Sequence, residues 1–473
     1  MTPIALKQLA QLGLALLAAM TTSYRSRAAE VLFVDASTPT QDSMFGQVCA
    51  IRPSVRSTEL LVGAPASNGA RGVAELFSVN GEGAQSIGVL NPSDAQANER
   101  FGYSVALSTD WLAIGSPFAL GARGKIRIYP RTATSIGAPA TLQSPDSAPN
   151  DAFGHSVAMG ENWIAVGEPL DDANGVATDR GAVHLYQRMV DGNWAATARL
   201  VAPDALAGDT FGYTLATDGS TLVIASRYAN VGSLEQAGVV WTVNIAADGL
   251  AGALTRVEAP DAASYDWFGA SVAIDGDLLL IGSCRDTVEP GVQEQGTARV
   301  FERHASGWIQ TAMLESPSAA AQDRFGNSVA IEGGRCLVGA DGQDPQNVSL
   351  AGMLHLFKPN SKAWMHNRSF ELPNPTANQN LGVACALHGD FVFGGAPRCG
   401  APNGVARAGV VGVWDLTTPC PNDLDHDGSV GGSDLVHLLG QWGSAGRADL
   451  DFDGVVGASD LAAMLASWGS CGS

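Results

Sequence analysis

Between residues 30 and 418 short apolar runs alternate with polar, glycine-rich breaks, a pattern of many brief strands rather than of helices. The breaks recur in register. A Phe-Gly pair stands at Phe45-Gly46, Phe101-Gly102, Phe153-Gly154, Phe211-Gly212, Phe268-Gly269 and Phe325-Gly326, and Leu381-Gly382 is a degenerate seventh copy. Neighbouring copies lie 52 to 58 residues apart. Each pair leads into a small, β-branched segment such as Tyr103-Ser104-Val105-Ala106 or Asn327-Ser328-Val329-Ala330. A second apolar run follows, often ending in Gly-small-Pro (Gly115-Ser116-Pro117, Gly167-Glu168-Pro169). An alternating third segment comes next, as in Lys125 to Tyr129, Ala182 to Tyr186 and Thr297 to Phe301, and a fourth often carries Trp194, Trp308 or Trp364.

Four short strands in roughly 55 residues, repeated seven times, predict an all-β fold, a seven-bladed β-propeller. Small residues suit the innermost strands, which converge on an axis. The glycine after each phenylalanine allows close backbone approach, and the aromatic residues belong where the blades widen and stack. The seventh repeat stops at its third strand, Val410 to Trp414, while Val31 to Asp35 at the other end resembles the fourth strands elsewhere. The N-terminal strand is therefore expected to close the last blade and remove an unpaired edge.

These seven anchors resemble the FG-GAP repeats of integrin α-subunit propellers and of many exported bacterial proteins. The resemblance covers residues 30–418 and implies the propeller fold. Calcium-binding blades of that kind carry Asp-x-Asp-x-Asp-Gly after the second strand. The loops here read Asp171-Asp172-Ala173-Asn174-Gly175, Arg285-Asp286-Thr287-Val288-Glu289 and Asp341-Gly342-Gln343-Asp344-Pro345. They lack the alternating carboxylates, so no calcium is expected in the propeller, and Asp171, Asp172 and Asp179 read as solvated turn residues.

Composition changes after Thr418. From Cys420 to Ser473 there are eight Asp, one Arg and neither Glu nor Lys. Asp423 to Gly443 and Asp449 to Gly469 match at 13 of 21 positions. Each copy places carboxylates at loop positions 1, 3, 5 and 12: Asp423, Asp425, Asp427 and Asp434, then Asp449, Asp451, Asp453 and Asp460. A 12-residue loop of this kind wraps oxygens around Ca²⁺, with the Ser429 and Val455 carbonyls at position 7, so two Ca²⁺ ions are expected. Leu435, Leu438, Leu439 and Trp442, and likewise Leu461, Met464, Leu465 and Trp468, form helical apolar stripes predicted to pack face to face. Cys420 and Cys471 bracket the module, either joined by a disulfide or as free thiols. The whole resembles a dockerin, in the Trp-Gly-ending variant found at the C-termini of many exported planctomycete proteins. That resemblance implies a cohesin-like or cell-surface protein partner, recognised around Gly432-Ser433 and Ala458-Ser459. Gly431 and Gly457 stand at position 9 where a ligand is usual.

Charge and chemistry narrow the function. The formal net charge of −20 argues against a nucleic-acid grip, and no internal run is long enough to span a bilayer. Residues 1–28, with Lys7, an apolar stretch from Leu9 to Met20 and a small-residue site before Ala28, read as a secretory signal. This divides the chain into a signal (1–28), a propeller (29–418) and a dockerin-like domain (420–473), in a secreted or surface-associated protein. Seven cysteines leave at least one unpaired within the chain; Cys49 and Cys385 fall in the same slot of neighbouring blades, as a pair or as two buried thiols. The eight histidines are scattered, and no nucleophile elbow, phosphate loop or His-Glu-x-x-His occurs. The expectation is a non-enzymatic binding or scaffold protein. Its protein or polysaccharide ligand would sit on the face formed by the Phe-Gly turns and by loops 170–180, 227–237, 285–295 and 341–351. The residues after each Phe-Gly (Gln47, Tyr103, His155, Tyr213, Asn327) are read mainly as packing. The alternative is a dockerin-targeted carbohydrate-active enzyme with its active site at the channel mouth.

Overall fold

The computed structural model describes residues 31–473, apart from 55–56, 81–82, 133–134, 173–177, 247–248, 290, 361–362, 403, 417–423, 425–428, 444–447, 449–454, 467 and 471–473. The signal segment, Cys420, Cys471 and six of the loop aspartates (Asp423, Asp425, Asp427, Asp449, Asp451, Asp453) lie outside the described residues. The chain separates into two compact units, dividing after Asp415.

The first unit holds seven four-stranded sheets, each antiparallel throughout. Six blades are consecutive meanders, beginning with Val48–Pro53, Ser104–Leu107, Ser156–Met159, Thr214–Thr217, Ser271–Asp275 and Phe325–Glu332. The seventh comprises Ala384–His388, Phe391–Ala396 and Val410–Asp415, completed by Val31–Val34. Val31 pairs with Trp414 and Val34 with Val411, so the N-terminal strand is the outer strand of the last blade, as the sequence predicts.

The recurring Phe-Gly pair joins neighbouring blades. Each anchor's N–H donates to a loop carbonyl of the blade before it: Phe101 to Arg71 at 2.9 Å, Phe268 to Ala237 at 2.9 Å and, across the closing seam, Phe45 to Ala408 at 3.1 Å. The anchor phenylalanines are fully buried at the head of the innermost strand. They do not sit at the wide outer end of the blade, where the sequence reading places aromatics. There they meet the fifth residue of their own third strand edge-on: Phe45–Phe77, Phe101–Tyr129, Phe153–Tyr186, Phe268–Phe301 and Phe325–Phe357, with centroids 5.9–6.3 Å apart. Such pairs add about 0.5–1.5 kcal/mol each beyond their buried area.

The serine two residues after the pair supplies a further tie. Ser104, Ser156, Ser271 and Ser328 donate to the carbonyls of Gly154, Gly212, Gly326 and Gly382 in the next blade at 2.7–2.8 Å. This accounts for serine at a buried position, because an unpaired hydroxyl there would be costly. Polar residues at the third position of the third strand act similarly. Arg127 reaches Asp94 at 2.8 Å, Arg299 reaches Asp261 at 3.0 Å, and Glu75 accepts the Ser37 N–H at 3.0 Å. Each pins the turn that leaves the preceding blade.

The second unit contains helices Gly432–Gly440 and Ala458–Ala466 and a two-residue pairing of Ser429–Val430 with Gly469–Ser470. Its core is Leu424, Val430, Leu438, Ala448, Val456 and Met464, with Leu435 and Leu461 against it. Only half of each apolar stripe is core. Leu439, Trp442, Leu465 and Trp468 are about half exposed, because each helix has a single neighbouring face to cover and the stripe is wider than that face.

Candidate binding site on the loop face

In every blade the residue that follows the second strand points the chain onto the loop face. Proline occupies this slot as Pro65, Pro117, Pro169 and Pro397, and its fixed φ makes the turn rigid. Three consecutive blades depart from it with Arg227, Cys284 and Asp341. Around that departure the side chains assemble into a continuous band. Phe118 contacts Tyr103 (5.7 Å between centroids), Tyr103 contacts His155 (5.1 Å), His155 contacts Tyr213 (4.5 Å), Tyr213 contacts Tyr228 (5.7 Å), and Tyr228 contacts Trp267 (5.3 Å). The band crosses four blades, and its members come from the Phe-Gly turns and from the loops after the second strands.

Arginines lie against it. The Arg227 guanidinium stands 3.8 Å from the Tyr213 ring centroid and 4.6 Å from those of Tyr228 and Trp267, and its Nη2 donates to the Tyr228 hydroxyl. Arg285 covers the other part of Trp267 at 4.3 Å, and Arg100 covers Phe118 at 4.8 Å. Each stacking is worth about 0.5–2 kcal/mol, depending on desolvation. Further round the face Arg285 pairs with Glu294, Arg324 with Asp341 at 3.0 Å and Arg407 with Asp42 at 2.9 Å. Among the described residues Arg100, Arg227 and Arg398 have no carboxylate within 4.0 Å. A strongly acidic chain thus presents two unneutralised cations, Arg100 and Arg227, against π surfaces on this face. That combination suits planar groups, sugar faces and anionic substituents. A hollow of about 350 Å³ bordered by Asp42, Met44, Pro397, Arg398 and Arg407 opens on the same face at the seam of the last and first blades. A second cleft, about 620 Å³, lies between Asp218, Asn244, Asp277 and Arg303 at the opposite ends of the blades; there the arginine, stacked on Trp308, is neutralised by Asp277 at 3.2 Å.

His155 sits in the middle of the band in a defined protonation state. Burial, with the Arg227 charge adding to it, holds its imidazole down at about 4 against the opposing hydrogen bond to Tyr213. The ring is neutral at physiological pH. The Tyr213 carbonyl, 3.1 Å from Nδ1, can only accept, so Nδ1 carries the proton and Nε2 accepts from the Tyr103 hydroxyl at 3.3 Å. Burial likewise pushes the Tyr213 phenol up to about 12.

This gives a pH prediction. The unfolded histidine titrates near 6.5, so below that pH the unfolded chain takes up a proton before the folded one does. The contribution is complete above about 6.5 and is lost as pH falls towards 4, by roughly 3 kcal/mol in total. Melting curves at pH 7 and 4.5 should show a larger loss for the parent than for His155→Asn. Equal losses would refute the buried neutral ring.

The positions after Phe-Gly therefore divide. Tyr103, His155 and Tyr213 build the band, whereas Gln47 and Asn327 do not join it. Trp267 carries it equally and was missed by the sequence reading; Arg227 begins the expected loop 227–237 but was not singled out, although its departure from the proline slot is visible across the repeats. Asp171 corrects another expectation. It is buried and bonded to Arg199 rather than solvated, because Arg199 on the adjacent strand and His184 enclose it; Asp179 is exposed as expected. His355 and His366 are not isolated either: their rings lie 5.7 Å apart, each bonded to Ser369 at 2.9 Å.

Cys49 and Cys385 are free thiols, pushed up to about 12 by burial. Cys284, Cys336 and Cys399 are free too. In the second unit Asp434 and Asp460 are fully buried. Asp434 accepts N–H groups from Gly431 (2.8 Å) and Leu424, and Asp460 accepts one from Gly457 (2.6 Å). The two position-12 carboxylates thus cap their helices. Ser429 lies in the short strand pairing, and Val455 is half exposed. Among the described residues no helix is long and apolar enough to cross a membrane.

The FG-GAP repeat model matches five stretches, residues 86–125, 138–186, 194–240, 253–301 and 308–357, together just under half of the chain. Each match begins in, or two residues before, the outer strand of one blade and ends in the third strand of the next, so the sequence repeat is offset from the blade by one strand. No curated protein matches the chain. Among solved structures it is similar to a chain in the crystal structure of the mitotic checkpoint complex, at 12% identity and a TM-score of 0.48, covering 82% of this chain and 95% of that one.

Proposed function

We propose that this seven-bladed propeller of FG-GAP repeats is an exported binding and scaffold protein without catalytic chemistry. Its loop face receives a protein or polysaccharide ligand, and a calcium-binding, dockerin-like C-terminal unit fastens it to a cohesin-like or cell-surface protein. The observation that carries the reading is the aromatic band from Phe118 to Trp267 with Arg227 and Arg285 stacked on it. Aromatic and Arg side chains concentrated at one place are what binding hot spots are made of. The ring of blades supplies the rigid base on which such a surface is preorganised. Two further features support the C-terminal part. Asp434 and Asp460 hold equivalent buried positions at the starts of two duplicated helices, and the half-exposed Leu439, Trp442, Leu465 and Trp468 leave apolar surface for a partner.

The test is capture from an extract of the producing organism on immobilised full-length chain, with and without a calcium chelator. The chelator should release the partner of the C-terminal unit and leave the propeller's ligand in place. Trp267→Ala and Arg227→Ala should each weaken the retained ligand about tenfold or more, equivalent to ~1.4 kcal/mol. Capture that is unchanged by both variants would refute the loop-face site. Turnover of a bound substrate by the parent but not by these variants would refute the non-enzymatic reading.

A further inference from the structure

The seven blades serve as controls for one another, and one of them is chemically out of line. Where the second strand ends, the residues are Ala64, Ser116, Glu168, Ser226, Ser283, Ala340 and Ala396. At the third position of the third strand they are Glu75, Arg127, His184, Trp241, Arg299, His355 and Gly412. Blade 5 shows a closed ion-pair network at this place. Arg299 donates to Asp261 (3.0 Å), Asp286 (2.8 Å) and Ser283 (3.1 Å). Blade 3 keeps both carboxylates, as Asp146 and Asp171, but replaces the arginine with His184 and the serine with Glu168. The arginine has moved to the neighbouring strand, as Arg199 where blade 5 has Met313, and an anion has come in.

Glu168 is fully buried, and neither of its carboxylate oxygens lies in hydrogen-bonding geometry with any described residue. His184 Nε2 approaches one of them to 2.7 Å, and Asp146 Oδ1 lies 3.9 Å from the same nitrogen. One ligand atom from each of Asp146, Glu168, Asp171 and His184 falls within 4.8 Å of all the others. Arg199 holds the two aspartates from outside, through Nε to Asp146 Oδ2 at 3.3 Å and Nη2 to Asp171 Oδ1. Ser144 donates to Asp146 at 2.9 Å. Such outer contacts orient ligand carboxylates in metal centres. A buried carboxylate without hydrogen bonds is expensive unless a charge meets it. With His184 a neutral ligand, three carboxylates against one arginine leave about two negative charges, which a dication balances. Asp146 is partly exposed and opens a route from solvent.

We propose that blade 3 holds one divalent transition-metal ion, of the Mn²⁺–Zn²⁺ class, on Asp146, Glu168, Asp171 and His184. One imidazole nitrogen with three carboxylate oxygens is a donor set for these borderline ions rather than for an all-oxygen Ca²⁺ cage. The ion ties Asp146, in the turn leaving blade 2, to three residues of blade 3, the task that Arg299 performs two blades on.

Full-length protein is stripped of metal, incubated with Zn²⁺ or Mn²⁺ in excess Ca²⁺ to saturate the C-terminal loops, and gel-filtered; bound metal is then counted by mass spectrometry. The parent should retain one equivalent of at least one of the two ions, and Glu168→Ser should retain none. The double variant Glu168→Ser/His184→Arg rebuilds the blade 5 pair and should fold without metal. With Ca²⁺ kept in excess, a chelator selective for transition-metal ions should lower the melting temperature of the parent and leave that of the double variant unchanged. Retention equal in all three proteins, or absent from the parent with both ions, would overturn the site.

Discussion

Deleting residues 31–37 should lower the melting temperature by about 5 °C or more and increase self-association relative to the parent. Two losses combine. Val31–Val34 is the outer strand of the last blade, and its Val34 is buried in a cluster with Phe45, Leu60, Phe393, Val411 and Val413 that spans the closing seam. Ser37 donates twice to Glu75, a buried carboxylate that among the described residues otherwise keeps only the Ser86 hydroxyl. Losing the strand costs about 1.5–3 kcal/mol per large side chain uncovered. Leaving Glu75 short of donors adds roughly 1–3 kcal/mol. The bared edge at Val410–Asp415 offers unpaired backbone groups to another chain. Differential scanning calorimetry and light scattering read both effects, and a peptide of residues 31–40 added in trans should reverse them. An unchanged melting temperature would mean that the ring is not held by its first strand.

The second large effect is expected from a single methyl group. Gly115 lies at an ordinary strand φ, so the backbone itself does not demand glycine. A Cβ there would stand 2.2 Å from the Gly154 carbonyl oxygen of the next blade and 2.2 Å from Ser104 Oγ. The first of these is backbone and cannot turn aside. Equivalent glycines at 63, 167, 282, 339 and 395 face the same oxygen of their neighbours at 2.0–2.3 Å. Blade 4 alone carries a methyl at this slot, Ala225, and there the tie is re-routed: Thr214 Oγ1 donates to the Ala270 carbonyl at 3.2 Å, not to the Phe-Gly carbonyl. Gly115→Ala should therefore cost about 3–5 kcal/mol, read as a fall in denaturation midpoint. Gly83→Ala, where the added atom meets nothing within 4 Å, should stay within about 0.5 kcal/mol of the parent. Equal midpoints for the two variants would contradict the close approach.

Much of this architecture is legible in the sequence because its causes are local and repeated. A Phe-Gly pair needs its glycine at φ +85° to +94°, and the following serine faces a carbonyl in every blade that has one. Spacing alone then counts the sheets, and the missing fourth strand of the last repeat finds its replacement at Val31. The band on the loop face is harder to read. Tyr213, Tyr228 and Trp267 meet only because the ring brings loops of adjacent repeats side by side, and pattern within one repeat is silent about that. Comparison between repeats does carry the clue, since Arg227 stands where proline is the rule. Asp171 fails for a different reason. A carboxylate after a strand is ordinarily solvated, and only the pairing of His184 with Arg199 across two strands makes this one interior. The half-exposed Trp442 and Trp468 show the limit of periodicity: it finds the apolar side of a helix but not how much of that side a two-helix unit can cover.

The one-strand offset between the repeating unit and the sheet has a consequence for how such proteins change size. Because every unit contributes the rim of one sheet and the body of its successor, copying or excising a whole unit mid-chain leaves the terminal splice untouched. Circles of six or eight members then become accessible by unequal recombination alone. A gene cut flush with the sheet boundaries would instead yield a stack with nothing to lock its two ends together.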